Sequence, residues 1–125
     1  MLFIKNSHLN NIMEQLTLLE STLLDSLTCK YPAFKAHLPY LKVKDREITK
    51  MGMVVNFEYL NTDEKLKFED FNALFSGGEN IESTGLKGGL SYVIDITDGQ
   101  IVYIEFSTYG ENWDGKIVDY KIITA

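Results

Sequence analysis

The residues able to do chemistry in this 125-residue chain are few and scattered. Asp95 and Glu105 are carboxylates inside otherwise apolar runs, and such a pair can work as acid and base when burial raises only one pKa. A tight Asp98–Gly99 turn between the runs would set Ile96 opposite Ile101, Ile94 opposite Tyr103 and Glu105 opposite Tyr92. Simple alternation then sends Asp95 and Glu105 to opposite faces, where they cannot share a substrate. No nucleophile, base and orienting group converge elsewhere, so a non-enzymatic protein is expected. Glycines 77, 78, 85, 88 and 89 could suggest a phosphate cradle. A cradle needs a preceding strand and a following helix N-terminus, but here a strand follows, and Glu79 and Glu82 would repel the anion. His8 and His37 have no metal-ligand spacing, so neither metal nor cofactor is expected. Cys29 fits best as a small buried side chain at the end of a helix.

The connection Tyr109-Gly-Glu111-Asn-Trp113-Asp114-Gly115 suits binding better than catalysis. Tyrosine and tryptophan bury large areas while freezing few rotors, and they dominate interface hot spots. Glu111 and Asp114 add charge that can steer a basic partner. The same residues also suit a Trp113 folded back over the sheet edge beside a solubilising acidic loop, and both readings stay open. With Glu105 and Asp119 from neighbouring segments, the expected partner-binding set is Glu105, Tyr109, Glu111, Trp113, Asp114 and Asp119.

The charge is unevenly placed. Residues 79–125 hold eight acids against three lysines, whereas residues 1–78 hold ten acids against nine bases, within a net charge of −6. Phosphate-rich partners would be repelled, which argues against nucleic acid and anionic membranes and for a basic protein. The chain is long enough for one domain, 1–125, with one core. Its longest apolar runs are four residues, too short to span a bilayer. No basic segment followed by a long apolar stretch opens it, and one cysteine suits a reducing compartment, so a cytoplasmic location is expected.

The elements that must position these residues follow from periodicity. Leu9, Ile12, Met13, Leu16, Leu19, Leu23 and Leu27 recur at three- and four-residue steps, which predicts an amphipathic helix. Asn10 or Asn11 would cap its start with Glu14 in support, and Pro32 would stop it near Cys29 or Lys30. Leu41–Lys44 alternates as a lysine-defended edge strand, and Met51–Tyr59 as a longer one. Residues 63–75 fit either an extended hairpin or a short helix carrying Phe68, Phe71, Leu74 and Phe75, and the helix is preferred. Ser76–Gly89 reads as a loop. Leu90–Thr97 and Gln100–Thr108 form the hairpin, with apolar residues on both faces, and Lys116–Thr124 a last strand. The predicted class is α+β: an N-terminal amphipathic helix on a mainly antiparallel sheet with a C-terminal meander.

The stretch Ile101-Val-Tyr-Ile-Glu-Phe-Ser-Thr-Tyr-Gly-Glu-Asn-Trp-Asp-Gly, followed by Val118-Asp-Tyr-Lys-Ile, in a small acidic chain of this class resembles the immunity proteins of bacterial polymorphic-toxin and contact-dependent growth inhibition systems. The resemblance implies a protein that binds a cognate basic toxin domain, often a nuclease, and neutralises it. An adaptor that adds its edge strand to a partner sheet is the alternative binding role. A small-molecule-binding domain or enzyme is the alternative from another class.

Overall fold

A computed structural model describes residues 15–60, 66 and 68–124. They form helix α1 (Leu18–Lys30), a 3-10 helix (Pro32–Tyr40) and strands β1 (Leu41–Ile48), β2 (Gly52–Tyr59), β3 (Ala73–Phe75), β4 (Asn80–Glu82), β5 (Leu90–Thr97), β6 (Gln100–Thr108) and β7 (Lys121–Ile123). The class is the expected α+β, with the helix preceding a wholly antiparallel sheet of order β1-β2-β6-β5-β4-β7 in which β3 also pairs with β5. Of the expected meander, β5 and β6 are neighbours, and β7 lies at the far edge beside β4.

Helix α1 begins later than its leucine spacing suggests. Thr17 accepts the Glu20 N–H at 3.1 Å, and Glu20 accepts the Thr17 N–H at 2.8 Å. This reciprocal capping box satisfies two donors that a helix start leaves unpaired, so the chain enters helix at Leu18. The earlier caps expected at Asn10, Asn11 and Glu14 lie outside the described residues. Leu19, Leu23, Leu24 and Leu27 are buried as the stripe requires, and Tyr31 ends the helix ahead of Pro32, as expected. Cys29 is exposed, not buried, because it falls on the face of α1 opposite those leucines. The connector past Pro32 winds as a 3-10 helix, whose three-residue turn puts Phe34 and His37 on the same buried side.

Two extra residues set which side chains enter the core. In β1, Val43 faces Phe57 but Asp45 faces Asn56, leaving Lys44 as a bulge. Parity changes there, so Arg46 joins Leu41 and Val43 on the inner face. Arg46 meets Glu20, which is only 2% exposed, through Nη2–Oε1 and Nε–Oε2 contacts of 2.7 and 3.2 Å. Its Nη2 also donates to the Gln15 carbonyl.

In β6, Ile101 faces Ile96 but Tyr103 faces Asp95, leaving Val102 as the extra residue. The expected register therefore holds only beside the turn. Asp98 and Gly99 both take positive φ, 51° and 74°, as a type I′ turn demands. Beyond Val102, Ile94 faces Ile104, Tyr92 faces Phe106, and Glu105 faces Val93, not Tyr92. Leu90, Tyr92, Ile94, Ile96, Ile101, Ile104 and Phe106 are all buried on one face. Ser91, Val93, Asp95, Tyr103, Glu105 and Ser107 stay half-exposed on the other. Among the described residues the large apolar side chains of this hairpin thus gather on one side, and Tyr103 is outside the core.

Three further expectations give way to tertiary contacts. Of the expected helix over 63–75, residues 63–65 and 67 lie outside the described residues, and those around Phe71 are not helical, because their groups bond across to the hairpin tip: Gly99 N–H to the Phe71 carbonyl at 2.9 Å and Asp98 N–H to Asn72 Oδ1 at 3.0 Å. The helical spacing of the phenylalanines reflects docking onto aromatic rings, Phe71 on Tyr31 and Phe68 on His37 and Tyr59. The loop 76–89 contains β4, which spans the gap between β5 and β7. The last strand shortens to Lys121–Ile123, since Asp119 turns the chain at φ 47° and Val118 is tied to Ser83 and Thr84.

Replacing Arg46 with alanine should cost about 3 kcal/mol by chemical denaturation, because the buried Glu20 carboxylate loses its counter-charge. The double variant Arg46→Met, Glu20→Gln should recover part of that loss. An alkaline limit is also expected. Burial pushes the Tyr59 and Tyr92 phenols from 10.0 up to about 12, helped at Tyr92 by the neighbouring Glu79. Between those values the unfolded chain releases protons that the folded chain keeps, so stability is full below pH 10 and falls as pH rises through 12. Tyr92→Phe should flatten that decline in denaturation curves taken across this range.

Candidate functional site

The open face of the sheet is built by strand alternation on either side of the two bulges. One row across it reads Asp45, Asn56, Tyr103, Asp95 and Leu74, from β1 through β2, β6 and β5 to β3. The next row reads Glu47, Val54, Glu105 and Val93. Neighbouring strands lie about 4.8 Å apart, and like-facing residues along a strand about 7 Å apart. Tyr103 therefore sits among acids, with Asp95 directly across and Glu105 one row along. Burial raises its phenol pKa first, and the Asp95 and Glu105 charges raise it further.

The acids on β1 are organised by Asn56, whose Nδ2 donates to Asp45 Oδ1 at 2.8 Å and to Glu47 Oε1 at 3.3 Å. Glu58 is balanced by Lys42 at 3.6 Å. Asp95 accepts only the Thr97 hydroxyl, at 2.6 Å, among its side-chain bonds. The hairpin from Leu90 to Thr108 contains no lysine or arginine, so its carboxylates lack local compensation. Leu74 is 67% exposed beside Asp95, and Val54 and Val93 are half-exposed. The result is an apolar-studded acidic platform.

Of the expected binding residues, only Glu105 belongs to this platform. Asp95, which alternation sends to the opposite face from Glu105, shares its face because Val102 shifts the parity. The two carboxylates therefore stand half-exposed on neighbouring strands of one face, one row apart.

The other expected residues lie at the end of the sheet and mostly hold loops together. Glu111 accepts the Lys87 and Gly88 N–H groups at 2.9 and 2.8 Å, which pulls its carboxyl pKa below the usual range. Asp114 accepts the Lys116 N–H at 2.9 Å. Trp113 packs against the core, donates Nε1–H to the Lys116 carbonyl at 3.0 Å, and its N–H reaches the Lys50 carbonyl. Of the two readings of that segment, these bonds fit the fold-back one. Tyr109 is 61% exposed, with its hydroxyl on Asn80, and Asp119 is exposed at its turn.

Cavities open away from the platform. One of about 450 Å³ opens between Trp113, Asp114 and the Thr84–Leu86 turn. Another of about 510 Å³ is walled by Tyr31, Phe34, His37 and Phe71. In the second, His37 is nearly fully buried, with Nδ1 2.8 Å from the Tyr59 hydroxyl, which itself accepts the Ile101 N–H. Among the described residues no group of three or more His, Cys, Asp and Glu could hold a metal ion, and no helix is long and apolar enough to cross a membrane.

The chain matches no family model, no curated protein and no solved structure. Asp45, Glu47, Asp95 and Tyr103 were absent from the expected site, and of these only Tyr103 had a signal in its own strand. Counting back from Thr108 in steps of two puts Phe106 and Ile104 on one side and Ser107, Glu105 and Tyr103 on the other.

Because Glu111 closes the glycine loop with two backbone bonds, Glu111→Ala should speed amide hydrogen exchange at Lys87 and Gly88 and leave the β5–β6 amides protected. The same loop protection should be full above the ordinary carboxylate range and disappear as pH falls through the lowered Glu111 value.

Proposed function

We propose that the protein is a binding module that docks on a basic protein domain and neutralises it, the role that the resemblance to toxin immunity proteins implies, and that it works without catalysis. The observation that carries this reading is the platform of Asp45, Glu47, Asp95 and Glu105 on a sheet face that the core does not use. A face that is acidic and dotted with exposed or half-exposed apolar groups matches an interface whose charges steer approach and whose apolar contacts hold the complex. The overall charge of −6 acts in the same sense at longer range.

Edge-strand addition is the weaker of the two binding roles. Among the described residues β1 is an edge strand, and it carries Lys42, Lys44 and a bulge, all devices that discourage strand pairing.

The test is to look for a gene for a large toxin beside this one and to co-express the chain with that toxin's basic C-terminal domain, absence of such a gene counting against the reading. Growth should be rescued by the chain, and the purified pair should form a stoichiometric complex that weakens steeply as salt is raised. Reversing charge with Asp95→Lys plus Glu105→Lys should abolish rescue while the circular dichroism spectrum is retained. A toxin domain that kills equally with and without the chain, and forms no complex with it, would reject the reading.

A further inference from the structure

The open sheet face also indicates how a basic partner would be gripped. We infer that it receives an arginine of the partner, with the guanidinium on Tyr103 and its N–H groups shared between Asp95 and Glu105. This rests on the reading above and names the contact within it.

Three observations support it. Among the described residues Tyr103 is the aromatic of the platform, and it stands at the middle, on the central strand β6, with Asn56 on one side and Asp95 on the other. The two carboxylates approach it from different directions, one across the strand pair and one along the strand, within about 5 to 8 Å. Among the described residues neither Asp95 nor Glu105 forms an ion pair, so both keep acceptor positions for an incoming cation.

The chemistry selects arginine over lysine. A guanidinium is planar, can lie on an aromatic ring, and spreads five donors around its rim, so it can reach two acids on different sides of that ring. An ammonium is a compact, strongly hydrated point charge that would satisfy one carboxylate and lose more solvation. Around this centre Leu74, Val93 and Val54 offer apolar contact to whatever flanks the arginine, including its own methylene stem.

The test has two arms. In the first, the whole chain is titrated by two-dimensional NMR at low salt with short synthetic peptides that are identical except for arginine or lysine. The arginine peptide should shift the amides of Val93, Asp95, Tyr103 and Glu105 and bind on the order of five to ten times more tightly than the lysine peptide. Equal affinities, shifts confined to the 109–119 connection, or no shifts would overturn the inference.

In the second arm the partner is the basic toxin domain of the co-expression test. Tyr103→Leu and the isosteric pair Asp95→Asn, Glu105→Gln should each weaken the complex on the order of 10- to 100-fold. Tyr103→Phe, which keeps the ring, and Asp25→Asn, exposed on helix α1 and away from the platform, should bind as the native chain does. If the native chain neutralises the toxin and all four variants do so equally, the arginine site is wrong and the binding role stands. If no toxin domain is bound at all, the role falls, and the peptide titration still decides the site.

Discussion

Between Ile101 and Tyr103 the sixth strand holds one residue more than its partner, and this extra Val102 governs what each face of the sheet displays. A strand alternates strictly, so a single added residue transfers every later side chain to the other side. Here the transfer brings Ile104 and Phe106 into the core opposite Ile94 and Tyr92. It also sends Tyr103 and Glu105 outward to join Asp95. The energetic reason is the burial of two large apolar side chains, each contributing about 2 kcal/mol, against the small local cost of an unpaired residue. The core and the acidic platform are therefore two consequences of one register change.

A second bulge does comparable work where the helix meets the sheet. Lys44 shifts β1 so that Arg46 turns inward and pairs with the buried Glu20. Glu20 has two tasks, since one of its oxygens also closes the capping box that starts α1. Helix start, strand register and interior ion pair are thus coupled through one carboxylate. On the same side, Tyr31, Phe34 and His37 take up Phe68 and Phe71, whose loop is hydrogen-bonded to the hairpin tip. With most of the large apolar groups drawn to one face, the other face keeps the polar and charged ones and a few apolar side chains, Leu74, Val54 and Val93.

That separation accounts for the functional reading. The acids of the C-terminal connection, Glu111 and Asp114, are engaged by backbone N–H groups, so they shape loops before they meet any partner. The acids of the β5–β6 hairpin have no cation in their own segment and remain open to solvent. Charge that the fold has already satisfied contributes little to recognition, whereas uncompensated charge around an aromatic can recruit a partner. Trp113, the most conspicuous hot-spot candidate in the chain, is half-buried against the core instead.

Short-range signals in the sequence were sufficient for much of this. The Asp98–Gly99 turn, the alternation of Met53, Val55 and Phe57, the buried Leu19, Leu23 and Leu27, and the stop before Pro32 all depend on residues a few positions apart. The Thr17-x-x-Glu20 box was equally local, but the longer leucine run obscured it. The acidity of the chain and Glu105's part in it were legible too, since charge needs no fold to be counted. Tertiary structure alone decided the bulges at Lys44 and Val102, the strand at Ala73–Phe75, and the company that Tyr103 keeps. Those features are settled by which arrangement buries the most apolar surface across several strands at once, and alternation within one strand carries no information about its neighbours' register.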